Sequence, residues 1–505
     1  MTPILAAKDI SRFKRVITQR LGLQFADDRS GFLGEVLGRR LAVSHGSGAA
    51  YLAALEHEWP AEEAHELAQE LTVGETYFFR NMDQFRAFAQ VALPERYAHR
   101  GQREGVSLLS AGCASGEEAY SMAIMAHEAG ADVGRNVSVR AVDVNPAAIQ
   151  KARRARYTRW ALRETPPDLE SRWFRQDGDA LVMDDMARAA VRFEERNLAI
   201  DDLALWQPNA YDVVFCRNVF MYFDAMHAES LVERIARSLA PGGYLFLGHA
   251  ETLRGVSQRF HLCHTHDAFY YQRKESAIGV TSGDAQDRWS PAVASPVHAT
   301  VLAGTDRWVA TVHTVAERIG VHAQDTNPSD RPVAPGRYPW DLGPVVSLLQ
   351  SERFAEALAV VQAFPPESTL DVGVLLLHSV LLVQGAQLRD AEATCTQLLA
   401  IDELNAGAHY VLALCREGAG DHAGARDRDR MAAYLDPAFA MPRLHLGLMA
   451  RRNGDYLPAR RELEQALVLL RREDAARLLM FGGGFGREAL VALCHAEIAA
   501  CGATT

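Results

Sequence analysis

The sequence predicts a multidomain protein with an N-terminal all-α domain, a Rossmann-like α/β domain carrying a small antiparallel β insertion, and a C-terminal α-solenoid. Three observations lead to this fold class. The chain has 505 residues, more than one hydrophobic core usually serves. From about residue 105, short β-rich runs alternate with helical stretches. After Trp340, small and large apolar residues recur at a period of 34.

Residues 1–88 are predicted to form the helical domain. Apolar residues recur at helical spacing in residues 10–23 and 63–71, without the alternation typical of strands. The beginning of the chain is also locally basic, through Arg12, Lys14, Arg15, Arg20, Arg29, Arg39 and Arg40. Two interpretations stay open for these charges: a solvated helix face, or a docking surface for an acidic partner.

Residues 89–274 are predicted to form the α/β domain. The β-rich runs are residues 106–109, 138–142, 191–193, 211–215 and 244–247. Their alternation with helices is typical of a doubly wound sheet, whose ligand crevice lies at the carboxyl ends of the strands. Between about 155 and 195 the alternation is interrupted by bulky aromatics, Pro166-Pro167 and an Asp177-Gly178-Asp179 turn, which indicates a small antiparallel insertion.

The remainder is predicted to be a linker at 275–337, repeats at 338–473, and a capping helix and tail at 474–505. The linker is rich in Ser, Pro, Gly, Ala and Asp. The repeats place Ser379, Ala413 and Gly447 in one register, and the period resembles that of the tetratricopeptide repeat (TPR). About four such repeats fit; the alternative is an irregular helical bundle.

Composition indicates a cytoplasmic protein. The net charge of -11 argues against a generic nucleic-acid binder. The seven cysteines form no C-x-x-C pair, which fits reduced thiols. No secretory signal is expected at the N-terminus, and the longest apolar run, near 374–383, is too short to cross a bilayer.

The strongest chemical signal is an apolar strand that runs through Gly112 and Gly116 into a helix. Glycines let the backbone pass close to a bound ligand at such a turn. Two interpretations stay open: any nucleotide-binding site, or a tight connection without a ligand. Asp143 follows the next strand, where a carboxylate suits ribose hydroxyls; the alternative is a helix N-cap. The lack of a full G-x-G-x-x-G motif favours S-adenosylmethionine over NAD, because no pyrophosphate needs a cradle.

Residues 71–80, Leu-Thr-Val-Gly-Glu-Thr-Tyr-Phe-Phe-Arg, resemble the signature of the CheR-type chemotaxis receptor methyltransferases. Residues 115–121, Asn197-Leu198, 215–223 and 239–244 agree in order and spacing. The resemblance covers residues 1–274. It implies a class I methyltransferase fold and S-adenosylmethionine-dependent O-methylation of glutamate side chains on a chemoreceptor-like protein, giving glutamate methyl esters and S-adenosylhomocysteine.

By the same resemblance, nine residues contact the cofactor: Gly74, Thr76, Arg80, Glu117, Asp143, Asn197, Leu198, Arg217 and Asn218. An arginine can pair with the methionine carboxylate, and carboxylates can bind amino or hydroxyl groups. Asn197-Leu198 would bracket adenine with an amide edge and an apolar face. Gly74 stands where some members of the family carry asparagine.

Transfer to glutamate needs alignment rather than a general base, because the carboxylate is already ionised near neutral pH. Arg96 and Tyr222 are candidate catalytic residues that orient this carboxylate. For Tyr222 a packed core position is the open alternative, and for Arg96 a position on a helix surface. The insertion corresponds to the family's β-subdomain, which in some members grips a tethering peptide of the receptor.

Two further function classes stay open: a small-molecule O-methyltransferase, which predicts an apolar pocket in place of the insertion, and a non-catalytic interaction scaffold. No metal site is expected. His261, Cys263, His264, His266 and Asp267 are dense, but ligands alternating on one hairpin rarely close a tetrahedron.

The expected partners are a methyl-accepting chemoreceptor-like protein and a second protein bound through the TPR region, with no nucleic acid and no direct membrane insertion. The enzyme would then be recruited to membrane receptor arrays. Repeats favour a chemotaxis-like pathway that controls surface behaviour, biofilm or development.

Overall fold

The computed structural model describes residues 6–502, apart from 27–28, 45–46, 101–104, 133–134, 250, 276–341, 352, 366–367 and 369. Residues 276–337 of the predicted linker therefore lie outside the described residues. The chain divides into two compact units. The first comprises Met1–Glu251 and Arg259–Ala303, and the second comprises Thr252–Gln258 and Gly304–Thr505.

The first unit begins with helices α1 (Ala7–Leu21), α2 (Ser30–Ser44), α3 (Gly48–His57) and α4 (Ala61–Leu71). Helix α1 buries Phe13, Val16 and Ile17, whose spacing puts them on one face. It ends at Gly22, which adopts the left-handed conformation that favours glycine. The basic residues of this region are partly neutralised, since Arg12 pairs with Glu56 and the buried Arg40 pairs with Glu63.

The helices and strands of the α/β region follow in chain order. They are α5 (Met82–Ala87), a π-helical turn (Phe88–Ala92), α6 (Leu93–Arg100), β1 (Val106–Ala111), α7 (Glu117–Glu128), β2 (Val137–Asp143), α8 (Pro146–Arg154), β3 (Arg156–Tyr157), α9 (Pro167–Trp173), β4 (Phe174–Asp177), β5 (Ala180–Met183), α10 (Asp185–Ala189), β6 (Val191–Glu195), β7 (Tyr211–Cys216), α11 (Ala225–Ser238), β8 (Leu239–Leu247), β9 (Phe260–Thr265) and β10 (Ala268–Arg273).

Seven of these strands form one sheet in the order β6-β2-β1-β7-β8-β10-β9. The first five run parallel, and the β9-β10 hairpin adds two antiparallel strands at one edge. All five strand runs predicted for the doubly wound sheet are present. Buried strands such as Tyr211–Cys216 are apolar almost throughout because helices cover both faces.

The insertion is a separate sheet with the order β3-β5-β4, which confirms the predicted antiparallel element. Phe78 anchors it, because its ring packs edge-on against Tyr157 and Phe174, with both centroid distances 4.8 Å. Phe78 and Phe85 belong to the hydrophobic core of the α/β region, whereas the core of the N-terminal helices ends at Leu71. Residues 78–88 therefore pack with the α/β region and not with the N-terminal helices.

The second unit contains a stack of helices: α12 (Gly343–Gln350), α13 (Phe354–Gln362), α14 (Val372–Gln384), α15 (Leu388–Ile401), α16 (Ala406–Gly418), α17 (His422–Leu435), α18 (Ala440–Arg452), α19 (Tyr456–Leu470), α20 (Ala475–Phe481) and α21 (Arg487–Gly502). Helices α14, α16 and α18 begin 34 residues apart, as do α15, α17 and α19. This agrees with the predicted helix pairs.

Small residues explain the close pairing of these helices. Ser379 and Ala413 are fully buried. At Gly447, a Cβ atom would lie 2.7 Å from Leu463 Cγ of the partner helix. Within the described residues, none of the helices combines the length and the apolar character needed to cross a membrane.

Candidate active site

The strand order of the large sheet reverses at β1, which lies between β2 and β7. In parallel sheets of this kind, a crevice forms outside the carboxyl ends of the strands at the point where the strand order reverses. Gly112 and Gly116, in the turn after β1, have φ angles of 79° and 94°. A Cβ on Gly112 would lie 2.5 Å from Val219, and one on Gly116 would lie 2.8 Å from Ala152. Both glycines are thus required by backbone conformation and by close packing.

Asp143 holds this turn in place from the end of β2. Its Oδ2 accepts the Ala114 N–H at 2.8 Å, and its Oδ1 accepts the Asn145 N–H at 2.8 Å. Burial raises the pKa of Asp143, although these backbone bonds oppose the shift. The N-cap of α8 is Asn145, whose side chain accepts from Ala147 and Ala148. The N-cap alternative for Asp143 is therefore wrong. Its carboxylate accepts three backbone N–H groups in all, which leaves one of its four lone pairs for a ligand.

Glu117 begins α7 and is almost completely buried. Ser115 Oγ donates to its carboxylate at 2.8 Å, and Lys151 Nζ lies 3.4 Å from that hydroxyl. Burial raises the pKa of Glu117. The next residue, Glu118, was not singled out from the sequence. It accepts from Ser110 Oγ at 2.8 Å, and burial also raises its pKa.

Arg217, just beyond β7, connects Glu118 with the segment before α5. Its side chain is only 2% exposed. One terminal nitrogen donates to the Arg80 carbonyl at 2.6 Å and the other lies 3.5 Å from Glu118 Oε2. Burial lowers the pKa of this guanidinium, although the Glu118 charge opposes the shift. The Nε–H of Arg217 has no hydrogen-bond partner within the described residues.

Asn218 adopts the left-handed conformation, with φ 57°. Its N–H donates to Glu251 Oε2 at 2.7 Å, and the Gly248 N–H donates to the same oxygen at 2.7 Å. Glu251 thus fixes the turn after β7 from the loop after β8. No motif drew attention to Glu251, because its partners are up to 33 residues away.

The segment with the resemblance signature lies beside Arg217. Gly74 is exposed, and a Cβ there would meet no atom within 4 Å, so packing does not require glycine. Thr76 and Arg80 are half-buried. The Arg80 guanidinium lies 5.7 Å from the centre of the Tyr77 ring, and Arg163 stacks on that ring at 3.7 Å. The backbone carbonyl of Arg80 is the acceptor for Arg217.

Asn197 and Leu198 follow β6 and connect the sheet to the N-terminal helices. The Asn197 amide nitrogen donates to the Arg20 carbonyl at 2.8 Å, and its oxygen accepts the Ala199 N–H at 2.9 Å. Each atom of the side-chain amide thus has one partner, which leaves one N–H and one oxygen lone pair, and the Leu198 side chain beside it is buried.

Tyr222 lies in a short 3-10 helix after β7 and is half-buried. Its carbonyl accepts the Gln24 N–H at 2.7 Å, and its ring packs on the N-terminal helical core. Its neighbours in sequence Met221 and Met226 are 65% and 71% exposed. Tyr222 is therefore packed against the edge of the N-terminal core, next to exposed side chains.

Arg96 lies at the end of the sheet opposite to the crevice, so the prediction that it orients the substrate carboxylate is wrong. It is 2% exposed, so it is not on a helix surface, and it donates to Asp212 Oδ1 and to the Pro241 carbonyl. Asp212 is at the start of β7 and also accepts the Ser107 N–H at the start of β1. The crevice lies at the opposite ends of these strands, about 15 Å away at the usual rise per residue. Arg96 therefore joins α6 to the sheet and does not reach the crevice.

We expect Arg96→Lys to lower the free energy of unfolding by about 1–3 kcal/mol, because lysine keeps the charge but loses the forked hydrogen bonds to Asp212 and Pro241. S-adenosylhomocysteine affinity should stay unchanged. Denaturant titration and calorimetry would measure the two quantities. Weaker ligand binding by the folded variant would show that Arg96 does affect the crevice.

The predicted histidine-rich hairpin is β9-β10. His264 stacks on Phe269 with ring centres 4.3 Å apart, and His266 lies 2.9 Å from Gln90 Oε1. These contacts give both rings a structural role. Over the described residues, no cluster of three or more His, Cys, Asp and Glu side chains has the geometry to hold a metal ion.

Residues 74–269 match the family model described as CheR methyltransferase, SAM binding domain. The chain is 31% identical over 263 residues to chemotaxis protein methyltransferase 2 of Vibrio cholerae, an alignment that covers 51% of this chain and 90% of the relative. It is 32% identical over 258 residues to the chemotaxis protein methyltransferase of Klebsiella aerogenes, with 50% of this chain and 85% of the relative covered.

A longer alignment includes the helical repeats. Over 460 residues the chain is 27% identical to the probable biofilm formation methyltransferase WspC of Pseudomonas putida, covering 90% of this chain and 97% of the relative. The strand order, the crevice at the end of β1 and these sequence similarities all indicate the same family. The chain belongs to the CheR family of chemotaxis methyltransferases, which use S-adenosylmethionine as the methyl donor.

Proposed function

We propose that this enzyme transfers the methyl group of S-adenosylmethionine to glutamate side chains of a chemoreceptor-like signalling protein, and that its helical repeats bind a protein partner. The products are a glutamate methyl ester and S-adenosylhomocysteine. The observation that carries the proposal is the buried pair of Arg217 and Glu118 beside Arg80, at the carboxyl ends of β1 and β7.

The residues of the crevice fit the cofactor. A buried N–H without a partner costs about 1–3 kcal/mol, and a ligand carboxylate at the Arg217 Nε would remove that cost. Arg80 would share the same carboxylate. Asp143 would accept a ribose hydroxyl with the lone pair that its backbone bonds leave. Glu117 would face the amino group, and Leu198 would supply an apolar surface for adenine.

Bound in this crevice, the cofactor supplies a methyl group on a positively charged sulfur that departs as a neutral thioether. The protein's task is then to hold a glutamate oxygen in line with the methyl carbon and the sulfur, a proximity effect of about 7–11 kcal/mol at most. The glutamate is ionised near pH 7, so no residue has to remove a proton. Tyr222, half-buried beside the exposed Met221, is our candidate for orienting the incoming carboxylate.

A protein substrate is favoured over a small molecule by the insertion. Where a small-molecule enzyme would need an apolar enclosure, this chain has the β3-β5-β4 sheet, anchored through Phe78 and ending in edge strands. An open strand edge can accept an extended peptide by main-chain hydrogen bonds. The alignment with the probable biofilm formation methyltransferase extends over 90% of this chain, which favours a pathway that controls surface behaviour.

Calorimetric titration with S-adenosylhomocysteine would test the site. We expect Arg80→Ala to weaken binding roughly 10-fold or more, the effect of losing one charged hydrogen-bond donor. Arg86→Ala is the matched control: Arg86 is on α5 and its terminal nitrogen contacts Asp83 on the surface. Equal affinities for both variants would argue against a role for Arg80.

Methyl transfer to glutamate has its own readout. With a methyl-labelled donor and a chemoreceptor cytoplasmic fragment, the label should become bound to protein and be released as methanol by mild base, since carboxyl methyl esters hydrolyse readily. Label that remains on the protein after base treatment, or that appears only in small molecules, would contradict the proposed substrate.

A further inference from the structure

Helix α20 departs from the repeat that precedes it. The first helices of successive pairs begin at Val372, Ala406 and Ala440, and the same period reaches residue 474 at the start of α20. Instead of following α18 in the stack, however, α20 packs on α12 and α14, the first helices of the two earliest pairs. The next layer on α18 and α19 is formed by α21.

The sequence gives a physical reason for this departure. The register that holds the small residues Ser379, Ala413 and Gly447 reaches Phe481 in the next repeat. At Gly447 even a Cβ atom would overlap Leu463, so a phenylalanine cannot enter the equivalent position between paired helices. Residues 482–486 then read Gly-Gly-Gly-Phe-Gly, which ends the helix.

Phe481 inserts into an aromatic site on the surface formed by the first helices α12, α14, α16 and the start of α18, which we call the first-helix face. Its ring centre lies 5.9 Å from that of Tyr410 and 5.1 Å from that of Phe439. Gly407 leaves the space for it, because a Cβ there would lie 3.0 Å from Phe481 Cζ. An aromatic side chain thus enters where the face carries no side chain of its own.

Arg477, one helical turn before Phe481, makes the polar half of the contact. It pairs with Asp436 and, at 3.1 Å, with Glu473 Oε1, and its guanidinium lies 5.4 Å from the Phe439 ring centre. Residues four apart lie on the same face of a helix. The first-helix face therefore binds a short helical segment through an arginine and a phenylalanine that are four residues apart.

The ends of α20 are anchored independently of it. Helix α19 pairs with α18, and α21 packs on both, with Arg451 and Glu497 forming an ion pair. Between α19 and α21 lie the seven residues of α20, a short turn and the glycine-rich segment 482–486. Release of α20 would leave the neighbouring helices in contact.

We propose that the first-helix face is a docking site for a helical segment of a partner protein that carries phenylalanine four residues after arginine, and that α20 is a displaceable occupant of this site. Solenoids bind partners on such extended surfaces. Occupation by α20 reduces the affinity for the partner, because a competitor must displace a segment tethered at high effective concentration. The inference rests on the proposed role of the repeats in protein binding.

Native-state hydrogen exchange on the full chain tests displacement without any variant. We expect the amides of α20 to exchange at least 100-fold faster than those of α16 and α18, through an opening that leaves the stack folded. Exchange of α20 at the same rate as the stack would show that it is a permanent part of the core and would overturn the proposal.

Binding in trans tests the site itself. The probe is a fluorescent peptide of residues 473–486, titrated into the full wild-type chain and into the Arg477→Ser, Phe481→Ser variant. We expect at least 10-fold tighter binding to the variant, and no binding of a peptide with the same two substitutions. A folded variant that does not bind the peptide would refute the docking site. Neither experiment involves methyl transfer, so failure here would leave the proposed catalytic function intact.

Discussion

Arg217→Met should weaken S-adenosylhomocysteine binding roughly 10- to 150-fold, corresponding to about 1.5–3 kcal/mol for a lost charged hydrogen bond. Methionine keeps much of the packing against Phe85, whose ring centre lies 5.6 Å from the guanidinium carbon. The loss of affinity would therefore come from the missing N–H donors and the missing positive charge. Calorimetry on the folded variant measures the effect.

The same substitution should also destabilise the fold, because it leaves Glu118 buried without its cation. Removing one partner of a buried pair typically costs about 3–5 kcal/mol. The variant Arg217→Met with Glu118→Gln removes both charges, so it should recover much of the stability while ligand binding stays weak. If the double variant regained wild-type affinity, Arg217 would act only by neutralising Glu118.

The five strands of the doubly wound sheet could be predicted because the alternation of apolar runs and helices is local information. The turn at Gly112 and Gly116 and the carboxylate of Asp143 were found for the same reason, since each directly follows a strand. The repeats could be predicted because small residues must recur wherever two helices touch closely, as Gly447 and Leu463 do.

The errors and omissions involve partners that are distant in sequence. Arg96 looked like a candidate for substrate contact because Asp212, 116 residues away, was not visible beside it. Glu118 and Arg217 are 99 residues apart, and only the sheet brings them together. For residues 474–505 the sequence predicts only a capping helix and tail. It does not predict the separate short helix α20, which Phe481 and the glycines after it direct to a surface formed by residues far away in the chain. Long-range packing decides such positions, and local patterns do not contain it.

The repeats carry a second buried charge cluster, centred on His445 of α18. Its Nε2 lies 2.8 Å from Glu417 Oε2 on α16, and its Nδ1 lies 2.7 Å from Asp429 Oδ2 on α17. Arg452 donates to the other oxygen of Glu417. Burial alone would lower the pKa of His445, but the two carboxylates outweigh it and raise this pKa to about 9.

This shift fixes the sign of a pH effect. The pKa of His445 is higher in the folded protein than its usual 6.5, so its ion pairs contribute full stability below pH 6.5 and lose it as the pH rises through 9. Burial raises the pKa of Asp429 to about 6, and the His445 interaction lowers that of Glu417 to about 2. Both carboxylates are therefore ionised above pH 7, where only the histidine of this cluster titrates.

We therefore expect the free energy of unfolding of the repeats to fall by about 2.5 kcal/mol between pH 7 and pH 10 because of His445 alone. Denaturant titrations of the full chain at the two pH values would measure the fall. The variant His445→Gln with Asp429→Asn should lose this part of the pH dependence. His409→Gln is the control, because burial lowers the pKa of His409 to about 4 and it stays neutral throughout. An equal fall in all three proteins would assign the effect to groups outside the cluster.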